Sequence, residues 1–186
     1  MAEGDFADQL SRLDQALRRR QEQQAKAARQ KSLRQQRLNE VHRGLLMLFQ
    51  ARARSVNVKM FRLIVEACQS DLTDLSKSVL GLLDERERES FLKTIGFVQM
   101  SLASSAAPAM QGYLGHVVGV VCEASDRCVV LVFPTFAVAL GSLEPLGGRV
   151  TRIEVRDLED LHRQEDAVDA ALAAGLKLLV ERVEGE

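Results

Sequence analysis

The sequence predicts an α+β fold: a long N-terminal helix and a further helical segment, then a small antiparallel β-meander closed by a C-terminal helix. Three observations carry this reading. An apolar seam runs at alternating steps of four and three through the first forty-eight residues, valine-rich runs cluster between residues 116 and 140, and a second helical stripe fills the last thirty residues. The first rhythm is the a/d repeat of a supercoiled helix, and the valine-rich runs suit strands.

The seam comprises Phe6, Leu10, Leu13, Leu17, Arg20, Gln24, Ala27, Lys31, Arg34, Leu38, Val41, Leu45 and Leu48. No Pro or Gly falls between Asp5 and Gly44, and residues 18–37 are mostly Ala, Gln, Arg and Lys, all strong helix formers. Asp5 is the expected N-cap. A helix of forty residues reaches about 60 Å. Only the two ends of the seam are leucine-rich, so a partner helix is expected to bind Phe6, Leu10, Leu13, Leu17, Leu38, Val41, Leu45 and Leu48. The polar seam positions Arg20, Gln24, Lys31 and Arg34, interrupted by Ala27 alone, imply a wet or differently bound centre.

Charge is divided along the chain. The net charge of −1 hides residues 1–62, which hold 14 Lys/Arg against 6 Asp/Glu, and an acidic remainder. On a helical wheel Arg18, Arg19, Lys26, Arg29 and Arg37 fall within about a 100° arc, a face that suits phosphates or an acidic protein. Parallel self-pairing over this stretch would set like charges together, because Glu22 is its one acidic residue. That consideration favours an antiparallel pair or a different partner.

Residues 55–107 read as two or three helices. Val58, Phe61, Leu63, Ile64, Val65, Leu72, Leu75, Val79, Leu82 and Leu83 recur at helical spacing, with Asn57 and Asp71 as breaks. Asp84 or Ser90 is the expected cap of the next helix, whose stripe is Phe91, Ile95, Val98 and Leu102. Ser104–Pro108 and Gly112 form a small-residue joint. The expected domains are therefore a basic coiled-coil helix at 1–54, a helical segment at 55–107, and an α/β module at 108–186.

In that module, residues 116–123 and 127–133 bracket the turn Ala124-Ser125-Asp126, which would set Glu123 opposite Arg127 and Cys122 opposite Cys128. Little alternation in either run implies sheet faces covered on both sides. Pro134 argues for a bend or an edge, a new strand is expected at 135–140, and a turn at Glu144–Gly148. Residues 149–156 alternate and read as a strand with one wet face. The last helix starts near Asp157 and buries Leu161, Val168, Leu172, Leu176, Leu179 and Val183, with acids early and Lys177 and Arg182 late, as the helix dipole favours. The pattern Gly115-x-Val117…Val129-x-Leu131-x-Phe133 resembles the strand order of small SH3-like barrels, which implies a closed sheet; an open layered module is the alternative.

No catalytic pattern emerges. His42, His116 and His162 lack ligand-spaced companions, and no Gly-rich strand-to-helix turn could cradle phosphate. Cys68, Cys122 and Cys128 form no CxxC pair, which points to a reducing intracellular compartment, cytoplasmic or nuclear, and to buried thiols rather than a hairpin disulfide. Aromatic residues are 4% of the chain and Trp is absent, which disfavours single-strand stacking platforms. The longest apolar run, Cys128–Leu140, is too short to span a membrane. The expected function is a non-enzymatic assembly subunit that meets protein partners, or its own copy, through the seam. It requires no cofactor, metal or small-molecule substrate. The alternative is a nucleic-acid-associated protein that uses the basic face of 18–37.

Overall fold

A computed structural model of the chain describes residues 2–56, 61–68, 83–91, 93–104, 113–124, 127–138, 142–145 and 150–184. The elements in order are α1 (Ala2–Ser55), β1 (Phe61–Cys68), α2 (Glu85–Phe91), β2 (Thr94–Ser104), β3 (Tyr113–Glu123), β4 (Cys128–Val138), β5 (Ser142–Pro145), β6 (Thr151–Val155), α3 (Leu158–Arg163) and α4 (Glu165–Glu184). The chain divides into two compact units, Met1–Arg37 and Leu38–Glu186.

The first unit is the N-terminal part of α1. The helix is already running at Ala2, so Asp5 lies inside it and is not the N-cap expected of it.

The second unit holds one antiparallel sheet. Strands β1, β2, β3 and β4 pair in that order, and β5 and β6 share the far edge of β4. Among the described residues no pairing joins β1 to β5 or β6, so the sheet is open and the barrel alternative is set aside. Strand β4 runs unbroken to Val138, which corrects the expected new strand at 135–140. Pro134 pairs with Val117 of β3 inside this strand. On the other edge, β6 pairs as far as Val132 and β5 from Thr135, so Pro134 occupies the junction. A residue without an N–H is tolerated where the ladder is interrupted. The expected turn at Glu144–Gly148 begins instead as strand β5, through Pro145, and residues 146–149 lie outside the described residues.

The helical reading of 55–107 is corrected over its described residues. Phe61–Cys68 is a strand antiparallel to β2, with Leu63 and Val65 packed on the core. In β2 the pairing with β3 shifts between Thr94 and Gly96, which makes Ile95 an extra residue. A bulge of this kind turns the strand period of two into a local step of three. Ile95 and Val98 therefore pack on the same core, while Phe97 packs on the opposite side. The step from Val98 to Leu102 is even, and even steps share a strand face as readily as steps of four share a helix face. The only part of the segment that stays helical among the described residues is α2. Asp84 caps it through a reciprocal pair: the Glu87 N–H donates to Asp84 Oδ1 at 2.7 Å, and the Asp84 N–H donates to Glu87 Oε2 at 2.9 Å. Leu72, Leu75, Val79 and Leu82 lie outside the described residues.

Both sheet faces are covered, as the unbroken valine runs imply. One face carries Val98, Met100, Val117, Val121, Val130, Val132, Ile153 and Val155. These pack with Leu38, Val41, Leu45, Leu48 and Phe49 of α1, Leu161 of α3, and Val168, Leu172 and Leu179 of α4. The other face carries Val118, Val120, Cys122, Val129, Leu131 and Phe133, which pack with Leu83, Phe91 and Val150. Two glycines allow the helices to approach the first face closely. A Cβ on Gly119 would lie 2.8 Å from Phe49 Cζ, and one on Gly175 would lie 2.9 Å from Val117 Cγ2.

The hairpin register differs from expectation by one residue. The Ala124 N–H donates to the Arg127 carbonyl at 2.9 Å, so the connection spans 124–127 and Glu123 sits opposite Cys128. Cys122 then pairs with Val129, and the two cysteines point to opposite faces of the sheet. Both are buried thiols, and a disulfide across the hairpin is excluded. The expected strand at 149–156 is β6, in which Ile153 and Val155 are buried while Arg152 and Glu154 are half-buried. The last helix is two helices. Asp157 caps α3 by accepting from the Asp160 N–H at 2.9 Å, and Gln164 breaks the run while its side chain donates to the Glu154 carbonyl at 2.9 Å.

Candidate functional site

The seam of α1 has two fates. Leu38, Val41, Leu45 and Leu48 are buried in the chain's own core. Their removal from water, worth about 1.5–3 kcal/mol for each large side chain, already supports the fold. They are therefore not open to a partner helix, and this part of the expected seam is corrected. Leu10, Leu13 and Leu17 are 50%, 57% and 49% exposed, as large apolar residues spaced to share one helical stripe. The side chain of Phe6 lies outside the described residues, though its backbone is helical. Arg20, Gln24, Ala27, Lys31 and Arg34 continue the stripe and are all exposed.

The basic arc lies wholly in the first unit. Arg18, Arg19, Lys26, Arg29 and Arg37 are exposed, and Arg18 meets Asp14 at 3.0 Å one turn away. An exposed pair of this kind contributes about 0–1 kcal/mol and leaves the guanidinium open to exchange.

A polar cleft of about 460 Å³ lies in the second unit, lined by Arg86, Glu89, Ser90, Lys93, Glu123, Ala124, Arg127, Arg152 and Glu154. The Glu154 carboxylate is its centre. It accepts from Arg86 Nη2 at 3.0 Å and from Arg152 Nε at 3.1 Å, and Arg127 Nη1 lies 3.5 Å away. Arg152 also donates to Ser90 Oγ at 3.3 Å. The cluster joins α2, the β3–β4 connection and β6, so its evident work is to hold α2 over the second sheet face. In the sequence Ser90 stands out only as a helix cap and Arg127 only as a hairpin neighbour of Glu123, and nothing there joins them to Arg86, Arg152 and Glu154. The available signal was the Arg152-x-Glu154 alternation on the wet face of β6; Arg86 and Arg127 are distant in sequence and only the fold brings them there.

Further polar groups lie in or beside the core. His116 Nδ1 lies 2.8 Å from Ser101 Oγ, its cross-strand neighbour, and Gln99 Nε2 lies 3.0 Å from the same nitrogen. Burial lowers the His116 pKa below the ordinary imidazole value. Cys122 is pushed up to about 11, chiefly by burial, against the smaller opposing effects of Thr94, whose Oγ1 is 3.5 Å from the sulfur, and of the Arg152 charge. Such a thiol is a poor nucleophile at neutral pH. His42 faces the core side of α1 and donates through Nε2 to the Phe97 carbonyl at 3.2 Å. Among the described residues no group of three His, Cys, Asp or Glu side chains could hold a metal ion. Among them, too, no helix is long and apolar enough to cross a membrane.

No family model, no curated protein and no solved structure matches this chain.

Proposed function

We propose that the protein is a non-enzymatic assembly subunit, which binds a helical protein partner through the Leu10–Leu13–Leu17 stripe of α1. The observation that carries this reading is the contrast along one seam: its C-terminal leucines are buried at home, and its N-terminal leucines, in the same register, are half-exposed. Covering three half-exposed leucines stabilises a complex more than any one surface ion pair could. The α/β body would then serve to anchor and present a partner-binding helix.

The test is light scattering after size-exclusion chromatography on the protein isolated from its own cells, alongside the variant Leu10→Asp with Leu17→Asp. The expected result is an assembly larger than one chain for the wild type and a one-chain mass for the variant. A wild type that elutes at the mass of one chain overturns the reading, as does a variant that keeps the assembly.

A second reading places nucleic acid on the basic arc. It is favoured by the exposure of all five cations Arg18, Arg19, Lys26, Arg29 and Arg37. Replacing Arg18, Arg19, Lys26 and Arg29 by Gln should weaken binding and flatten its dependence on salt, because each phosphate contact releases a counterion. No binding by the wild type at low salt ends this reading.

A further inference from the structure

We infer that the partner helix is supplied by a second copy of this chain, running antiparallel, with Leu10 of one helix against Leu13 of the other. This rests on the assembly reading above and names its partner.

Within the four–three rhythm Glu3, Leu10 and Leu17 share one type of seam position, and Phe6, Leu13 and Arg20 share the other. Two antiparallel helices set the first type against the second. One register then pairs Phe6 with Leu17, Leu10 with Leu13, Leu13 with Leu10 and Leu17 with Phe6, so that every apolar residue meets an apolar residue. The same register sets Glu3 at the level of Arg20 at both ends. Sliding by one seam step in either direction puts Leu10 across from Arg20 or Leu13 across from Glu3. Charged residues opposite leucine lose hydration without compensation.

A parallel pair also matches the leucines, but it sets Glu3 on Glu3 and Arg20 on Arg20. It then carries the contact into Lys31 on Lys31 and Arg34 on Arg34. The antiparallel pair ends at residue 20 and leaves the polar seam from Gln24 to Arg34 outside the overlap, where it is exposed in the single chain. Along the axis Glu3 and Asp5 of each helix come level with Arg20 and Arg18 of the other. The contact is isologous and closes at two copies.

The experiment uses the full chain in two cysteine variants, Phe6→Cys and Leu17→Cys, under mild oxidation, with sedimentation of the reduced wild type over a concentration series. The oxidised wild type sets the background from Cys68, Cys122 and Cys128. In the proposed register the two variants, once mixed, cross-link to each other, and neither cross-links alone. Like residues would then be separated by about 16 Å along the axis, beyond the reach of a disulfide. The wild type should sediment as a dimer that dissociates on dilution. Cross-linking of each variant alone reveals a parallel pair and overturns the inference while keeping the seam. A one-chain mass at every concentration overturns self-pairing. The native-source experiment with Leu10→Asp and Leu17→Asp then decides separately whether a foreign helix uses the stripe.

Discussion

The ring of Phe49 lies against the backbone of Gly119, so close that a Cβ there would come within 2.8 Å of the ring Cζ and 3.0 Å of Leu45 Cδ2. Phe49 and Leu45 are fully buried, and an aromatic ring boxed in by a sheet and a neighbouring leucine has little room to yield. Gly119→Val should therefore lower stability by about 1–3 kcal/mol through overpacking, although valine is a better strand residue. Chemical denaturation checks this: the midpoint falls for Gly119→Val and recovers in part when Phe49→Leu is added. A variant as stable as the wild type would show that α1 does not sit on β3 in solution.

The two halves of the seam should respond differently to the same truncation. Leu45→Ala removes a fully buried side chain and should cost about 2–5 kcal/mol. Leu10→Ala and Leu17→Ala remove half-exposed side chains, and in a dissociated sample each should stay within about 0.5 kcal/mol of the wild type. Denaturation at a concentration where sedimentation shows single chains makes the comparison. Equal losses at both ends would mean that Leu10 and Leu17 are also covered within the chain.

This contrast shows what the sequence could and could not reveal. A repeating apolar stripe tells which side chains face one direction; it does not tell what covers them, because an intramolecular sheet and a foreign helix make the same demand for leucine. Valine runs at 117–121 and 128–133 identified buried strands, since few polar residues interrupt them. The spacing in strands β1 and β2 imitates a helix for physical reasons that are visible in Ile95 and Leu63. A bulge at Ile95 mimics a helical step, and the odd-numbered alternation of Leu63 and Val65 was hidden by the apolar Ile64 between them. Only Arg152 of the Glu154 hub lies near it in sequence, on the same strand; Arg86 and Arg127 reach it from α2 and the β3–β4 connection, which spacing alone does not bring together.

Cys122 and Cys128 provide a reporter of opening. Both are buried, on opposite sheet faces, and the Cys122 thiol is pushed up to about 11. Alkylation requires a thiolate and access, and the native fold denies both to Cys122. Iodoacetamide at pH 7.5, followed by peptide mapping, should leave the two cysteines unlabelled in native protein and label them after denaturation. Rapid labelling of Cys122 alone under native conditions would place the Leu83–Phe91 cover of the second face in an open state. Equal slow labelling of both would mark global unfolding as the route.

The buried His116 should impose a pH dependence of definite sign. Its pKa is lowered from the ordinary value of 6.5 because burial disfavours the charged imidazolium. Between the lowered native value and 6.5 the unfolded chain binds more protons than the folded one, so stability rises with pH across that window. Above 6.5 both states hold a neutral ring, and His116 contributes no slope. As pH falls through 6.5 stability declines, by at most about 1.4 kcal/mol per pH unit for one proton, and the decline stops below the native value. Ser101 and Gln99 are polar neighbours that leave the neutral ring hydrogen-bonded, so His116→Gln can keep a polar side chain in the site without a titrating group. Denaturation midpoints from pH 8 to pH 5 should fall more steeply for the wild type than for His116→Gln, with the two converging in slope above pH 7. Parallel curves throughout would mean that His116 is solvated in the folded protein, and that the strand pair Ser101–His116 faces water rather than the covered side of the sheet.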